Sequence, residues 1–102
     1  MHKSLYSRPN DVFLTLLRDV RLSKRLRQSD LAVRLGRSQA IVSRVESGER
    51  RLDITELVAW LGAMDINIVT FAQQLHARLE ADIAGVGRRG AKRLRHATQD
   101  RS

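Results

Sequence analysis

The chain has 102 residues, 42% of them apolar, which is room for one domain with a modest core. Cysteine is absent, which excludes disulfides and thiolate chemistry, and no apolar run approaches the roughly 18 residues of a membrane span. The formal net charge of +8 is unevenly placed: residues 1–84 hold 13 Lys and Arg against 10 Asp and Glu, residues 85–102 six against one. Such a balance suits a polyanionic partner, although a solvated cationic tail accounts for it equally well. The polar N-terminus carries no signal-peptide pattern, so a soluble protein of the cytoplasm, associated with the nucleoid, is expected.

Residues 1–9 show no periodicity and read as a flexible arm. Pro9 and Asn10 then set up a helix, Asn10 as its cap. Phe13, Leu16, Leu17 and Val20 follow at helical spacing, and this first helix should run from Asp11 to about Lys24. Asp11 falls in its expected first turn and Lys24–Arg25 near its last, both favourable for the helix dipole. A second helix is expected over about Gln28–Leu35. A third covers about Gln39–Glu46, with Ser38 as its cap and Gly48 as its stop. Asp53 and Glu56 have the spacing of a capping box at the start of a fourth helix ending near Met64, with Leu52 and Leu57 placed as a hydrophobic staple. Asn67 caps a fifth, stapled by Ile66 and Phe71, along which Val69, Ala72, Leu75, Leu79 and Ile83 form an apolar stripe. No strand-type alternation is present. The domain boundaries are set at residues 10–84. Residues 85–102, with three glycines within six residues and dense positive charge, read as a disordered basic tail, in which Ala91–Ala97 has the alternative of turning helical against phosphate.

The most informative stretch is Gln28–Gly48, QSDLAVRLGRSQAIVSRVESG. Ala32 is small where the second helix must approach the third, and Gly36 supplies a turn at which a positive φ is easy only for glycine. Leu31, Leu35, Ile41, Val42 and Val45 provide the inward faces. Counting Gln28 as first, Ala32 is fifth, Gly36 ninth and Val42 fifteenth, the spacing of a DNA-binding helix-turn-helix.

On these residues, and on Ser38-Gln39, Val42-Ser43-Arg44, Glu46 and the run Gly48-Glu49-Arg50-Arg51-Leu52-Asp53, the chain resembles the phage-repressor/Cro-type helix-turn-helix regulators over about residues 11–80. The resemblance implies an all-α, compact five-helix lambda-repressor-like bundle. It departs from the family habit at Arg25 and Asp65, where glycine is usual, and at Arg27, where Thr or Ser often caps the second helix.

A third helix of this size fits the major groove of B-DNA, about 12 Å wide. Gln39 carries a donor and an acceptor and can pair with the N6/N7 edge of adenine, as the matching family residue often does; the alternative is a solvated first-turn side chain. Ala40 can meet a thymine methyl, Ser43 a base or phosphate, and Arg44 guanine or phosphate. Gln28 and Ser38 stand at helix N-termini that favour phosphate, capping being the larger expected role of Ser38. The resemblance also gives Gln28 a hand in orienting Gln39. Arg37, Arg50 and Arg51 flank the third helix as backbone clamps, or, for Arg50 and Arg51, minor-groove contacts. By resemblance Glu46 pairs with Arg21, bracing the third helix against the first and presenting Arg21 toward the DNA backbone.

One short recognition helix reads few base pairs, so a homodimer on two half-sites is expected, with Trp60, Leu75 and Leu79 as interface candidates. Phe71 is expected inside and the later residues of the fifth helix shared between core and interface. His2, His76 and His96 lack metal-ligand spacing and no phosphate-binding glycine loop follows a strand, so no metal, no cofactor and no enzymatic role are expected. The expected partner is double-stranded DNA, the function a sequence-specific transcriptional regulator, more specifically a repressor occupying an operator. The alternative is an antitoxin that binds a toxin and represses its own operon. Single-stranded RNA is a poor match for a chain with four aromatic residues.

Overall fold

The computed structural model describes residues 7–87, which form five helices: α1 (Ser7–Ser23), α2 (Gln28–Leu35), α3 (Gln39–Glu46), α4 (Ile54–Ala63) and α5 (Ile68–Gly87). Among the described residues there is no strand. The basic segment 88–102, with the Ala91–Ala97 alternative, lies outside them.

The helix starts follow side-chain chemistry. Ser38 Oγ accepts the Ile41 N–H at 3.3 Å, and Asn67 Oδ1 accepts that of Thr70 at 2.8 Å. At α4 the capping box is complete: Asp53 Oδ1 takes the Glu56 N–H at 2.7 Å and Glu56 Oε1 takes the Asp53 N–H at 3.0 Å. Each of these bonds satisfies a donor that the helix itself leaves unpaired.

The helix ends share one device. Arg25, Gly36, Gly48 and Asp65 have φ of 60°, 68°, 88° and 59°, one after each of α1 to α4. The residue that follows each then donates its N–H to the carbonyl five positions back: Leu26 to Arg21, Arg37 to Ala32, Glu49 to Arg44 and Ile66 to Leu61, at 2.9–3.2 Å. This is the Schellman closure, and where the following residue is apolar it folds back onto the core, as Leu26 and Ile66 do. A Cβ at Gly48 would meet only Leu14 Cδ1, at an ordinary 3.4 Å, so it is the φ of 88° that favours glycine there.

The core collects Leu16, Leu17 and Val20 from α1, Leu26, Leu31 and Ala32, then Val42 and Val45 from α3, Trp60, Leu61 and Met64 from α4, and Phe71 from α5. Phe13 and Phe71 meet edge to face, with ring centroids 5.9 Å apart. Both expected staples are seated against this cluster, Leu52 with Leu57 and Ile66 with Phe71. Ion pairs fasten α1 to α5 at Arg8–Asp82 and Asp19–Arg78, each 2.9 Å.

Three expectations are corrected here. α1 begins at Ser7 and not at Asp11, so Asn10 is inside the helix rather than its cap and Asp11 is past the first turn. Pro9 permits this because the first turn of a helix needs no amide hydrogen from it, and Arg8 is held by Asp82. α5 continues through Gly85–Gly87, so the helical unit outlasts the expected boundary at residue 84. Trp60 is only 2% exposed and is a core residue, not the edge of an interface. It lies three residues after Leu57 and four before Met64, on the inward stripe of α4. Along α5, Phe71 is buried and Leu75 packs on the core, while Val69 and Ile83 are 62% and 66% exposed. No single helix among the described residues is long and apolar enough to cross a membrane.

Candidate nucleic-acid interface

α2 and α3 are each eight residues long and pack on one another through Leu31, Ala32, Val42 and Val45. Ala32, 4% exposed, allows the close approach. With these residues turned inward, the opposite side of α3 carries Gln39, Ala40, Ser43 and Arg44, all exposed. At about 1.5 Å per residue the helix is roughly 12 Å long, commensurate with the major groove.

Behind this surface lies a buried ion pair. Glu46 accepts from Arg21 Nε at 2.6 Å and from Arg21 Nη2 at 3.0 Å, a side-on bidentate arrangement. Arg21 Nη1 also donates to the Leu26 carbonyl at 2.8 Å, which ties the pair to the Schellman turn after α1. The two side chains are 7% and 6% exposed. The carboxylate is therefore neutralised inside the protein and offers no repulsion to a phosphate. Removing one member would strand a buried charge, a loss of about 3–5 kcal/mol. The brace between α1 and α3 is present as expected, but Arg21 is enclosed and is not displayed toward a DNA backbone.

Two glutamines extend the chain of hydrogen bonds to the surface. Gln28 Nε2 donates to Glu46 Oε1 at 3.0 Å, and Gln39 Nε2 donates to Gln28 Oε1 at 3.2 Å. Gln39 keeps one N–H and its carbonyl oxygen for a ligand. The Gln28–Glu46 link is not legible in the sequence, since the two positions are 18 apart and only the packing of α2 on α3 joins them.

At the start of α2 stands Arg27, extended in backbone. An arginine cannot accept hydrogen bonds, so it leaves the first-turn N–H groups of α2 uncapped while adding a positive charge beside them. Asp30 answers from inside the helix by accepting the Arg27 backbone N–H at 2.8 Å and its guanidinium at 3.1 Å. The side-chain hydrogen bond from Arg27, then its backbone N–H, hold the Asp30 carboxyl below its ordinary range. Sequence marks Arg27 as a departure at the cap of the second helix and not as a site residue, although its place beside Gln28 at a helix start is a signal that could have done so.

The flanking cations divide into two kinds. Arg37 and Arg51 are exposed. Arg50 is instead drawn inward, donating from Nη2 to Glu56 Oε2 at 2.9 Å, with Nη1 enclosed and lacking an acceptor. The structure thus makes Arg50 a brace on the α4 cap, in place of the freely displayed clamp expected of it. Glu56 sits below its ordinary carboxylate range, chiefly through the Asp53 backbone N–H and next through Arg50. Asp53 is lowered by the Glu56 backbone N–H and then by the Thr55 hydroxyl. Among the described residues, no three His, Asp or Glu side chains converge as a metal site.

An eight-residue helix with its polar edge outward, propped by a second helix across a glycine turn, defines a helix-turn-helix DNA-binding domain. The helix-turn-helix family model matches residues 17–71, from the middle of α1 to the first turn of α5. The chain belongs to the Cro/C1-type helix-turn-helix family. It is a DNA-binding transcriptional regulator whose partner is double-stranded DNA, and the family is regulatory and not enzymatic. No curated protein and no solved structure matches the chain.

Proposed function

We propose that this protein is a repressor that reads its operator with the exposed edge of α3 in the major groove and blocks transcription by occupying that site. The observation that carries this reading is the Gln39 side chain. It is exposed at the start of α3, held by Gln28, and left with one donor and one acceptor. That pair matches the N7 acceptor and N6 donor of adenine. Ala40 then faces a thymine methyl, Ser43 a base or phosphate, and Arg44 guanine or the backbone. The uncapped N-terminus of α2, with Gln28 beside it, takes one phosphate, and Ser38 at the start of α3 combines capping with a place near another. Arg37 and Arg51 grip the backbone on either side, setting register without reading sequence.

A homodimer supplies the second half-site about one helical turn away, roughly 34 Å. The exposed apolar side chains Ile54 and Val58 of α4 and Val69 and Ile83 of α5 support a protein-facing surface there. The same surface suits a toxin bound by an autoregulating antitoxin, the second reading. Self-association of the purified chain would favour the first.

The test is selection of bound duplexes from a random pool with wild type and Gln39→Ala. The wild type should enrich one motif. The variant should melt as wild type does and lose preference at one base pair per half-site, by about 5- to 150-fold, the discrimination of a bidentate contact. Equal retention of all duplexes by the wild type would sink the proposal.

A further inference from the structure

We infer that Glu46, enclosed behind the recognition surface, determines which base Gln39 prefers, acting through Gln28 as a positioning residue. The inference rests on the reading of Gln39 as a base contact and adds to it the origin of its polarity. A glutamine amide can present its two ends in either order, and a free one on a surface does so. Here the order is imposed from within. Glu46, a carboxylate paired with Arg21, only accepts hydrogen bonds, so Gln28 must turn its NH2 toward it, as it does at 3.0 Å. The Gln28 oxygen is thereby aimed at Gln39, which must answer with its own NH2, at 3.2 Å.

One of the two Gln39 N–H bonds is consumed in this way. What remains is a single donor beside a single acceptor, the complement of adenine. Guanine presents two acceptors, N7 and O6, and would need both Gln39 hydrogens. The relay removes one of them and sets the Gln39 oxygen against O6. Burial gives the relay its stiffness: the ion pair that starts it is 6–7% exposed, and Arg21 is further fixed by the Leu26 carbonyl. A direction chosen in the core thus reaches the surface in two hydrogen bonds.

The experiment compares base preference at the Gln39 position in duplex selection, with thermal melting of each variant beside it. Arg21→Met/Glu46→Met removes both charges together, so no buried ion is stranded. Gln28→Met breaks the relay and leaves the ion pair intact, and it decides the matter if the double variant does not fold. Each folded variant should lose adenine-over-guanine preference by about tenfold at that base pair, within the range of a bidentate contact, with preference at the other positions kept.

Wild-type preference in a folded Gln28→Met or double variant would overturn the relay. Gln39→Ala separates the two levels. If it erases the preference while the relay variants keep it, the relay falls and the base contact stands. If Gln39→Ala changes nothing, the base contact falls and the relay with it.

Discussion

Arg25 and Asp65 hold φ near +60°, where a side chain meets the following carbonyl at a cost of roughly 1–2 kcal/mol. Arg25 is exposed, so nothing about its side chain requires that backbone; the Leu26–Arg21 turn does. Arg25→Gly should raise stability by about 0.5–1 kcal/mol, once the greater freedom of glycine in the unfolded chain is set against the relieved strain. Urea denaturation measures it, and a loss of stability would show that the Arg25 side chain has a role in the fold. Arg50 and Arg51 provide a contrast between neighbours of the same type. Arg51→Ala should weaken binding to all duplexes alike and reduce the log-log salt slope by about one. Arg50→Ala should leave that slope unchanged and lower stability, because its guanidinium is engaged by Glu56. Residue types at helical spacing make the outward edge of α3 legible in sequence. They do not tell Arg50 from Arg51, since that difference arises from where the α3–α4 turn sends two adjacent side chains.

The five helices are legible because each carries its own punctuation. α2 and α3 have the bounds expected from sequence, and α4 is announced by the Asp53–Glu56 box. α1 and α5 extend further than local signals suggest, because they support each other through Arg8–Asp82 and a shared core, contacts with no local signature. The α4 box makes an element of the fold sensitive to acid. Hydrogen bonds hold Asp53 and Glu56 below their ordinary carboxylate ranges, so the folded state binds fewer protons than the unfolded chain. Their contribution is complete above the unfolded values, about 3.9 and 4.3, and is lost as pH falls through the lower folded values. Urea midpoints between about pH 5.5 and pH 3 should therefore fall in the wild type. Asp53→Asn keeps a capping oxygen without a proton to gain, and the fall should be shallower. An equally steep fall would show that this box is not where the acid sensitivity resides.

At the scale of the molecule, one core serves two surfaces. The α2–α3 side is polar and cationic, whereas α4 and α5 leave Ile54, Val58, Val69 and Ile83 at 65%, 51%, 62% and 66% exposure. Scattered exposed apolar residues are ordinary, and Leu22 of α1 and Val33 of α2 are also exposed, but among the described residues five of the seven large ones lie on α4 and α5, the two helices that take least part in the proposed DNA face. The apolar stripe along α5 was legible in sequence; how it divides between core and surface was not. Phe71 and Leu75 are claimed by the core because α1 presents Phe13 and its neighbours to that side of the helix, and Trp60 goes inward with Leu57 and Met64. We propose that the dimer uses Val69, Ile83 and the half-buried Leu79 of α5; Trp60, enclosed in the core, is not available to it. Val69→Asp/Ile83→Asp should leave the melting temperature near that of the wild type, since substitutions at exposed sites usually change stability by no more than about 0.5 kcal/mol each. Sedimentation should show a shift from dimer to monomer, and a two-half-site operator should be bound far more weakly while a single half-site is bound as before. The two half-sites reinforce each other only through the protein contact, so their joint affinity measures that contact directly. If the charged variant still sediments as a dimer, the α5 face is not the interface and the contact must be sought at Ile54 and Val58. If the wild type binds its operator as one protomer per duplex, two-fold reading of the DNA is excluded, and the exposed apolar face is left to a different protein partner.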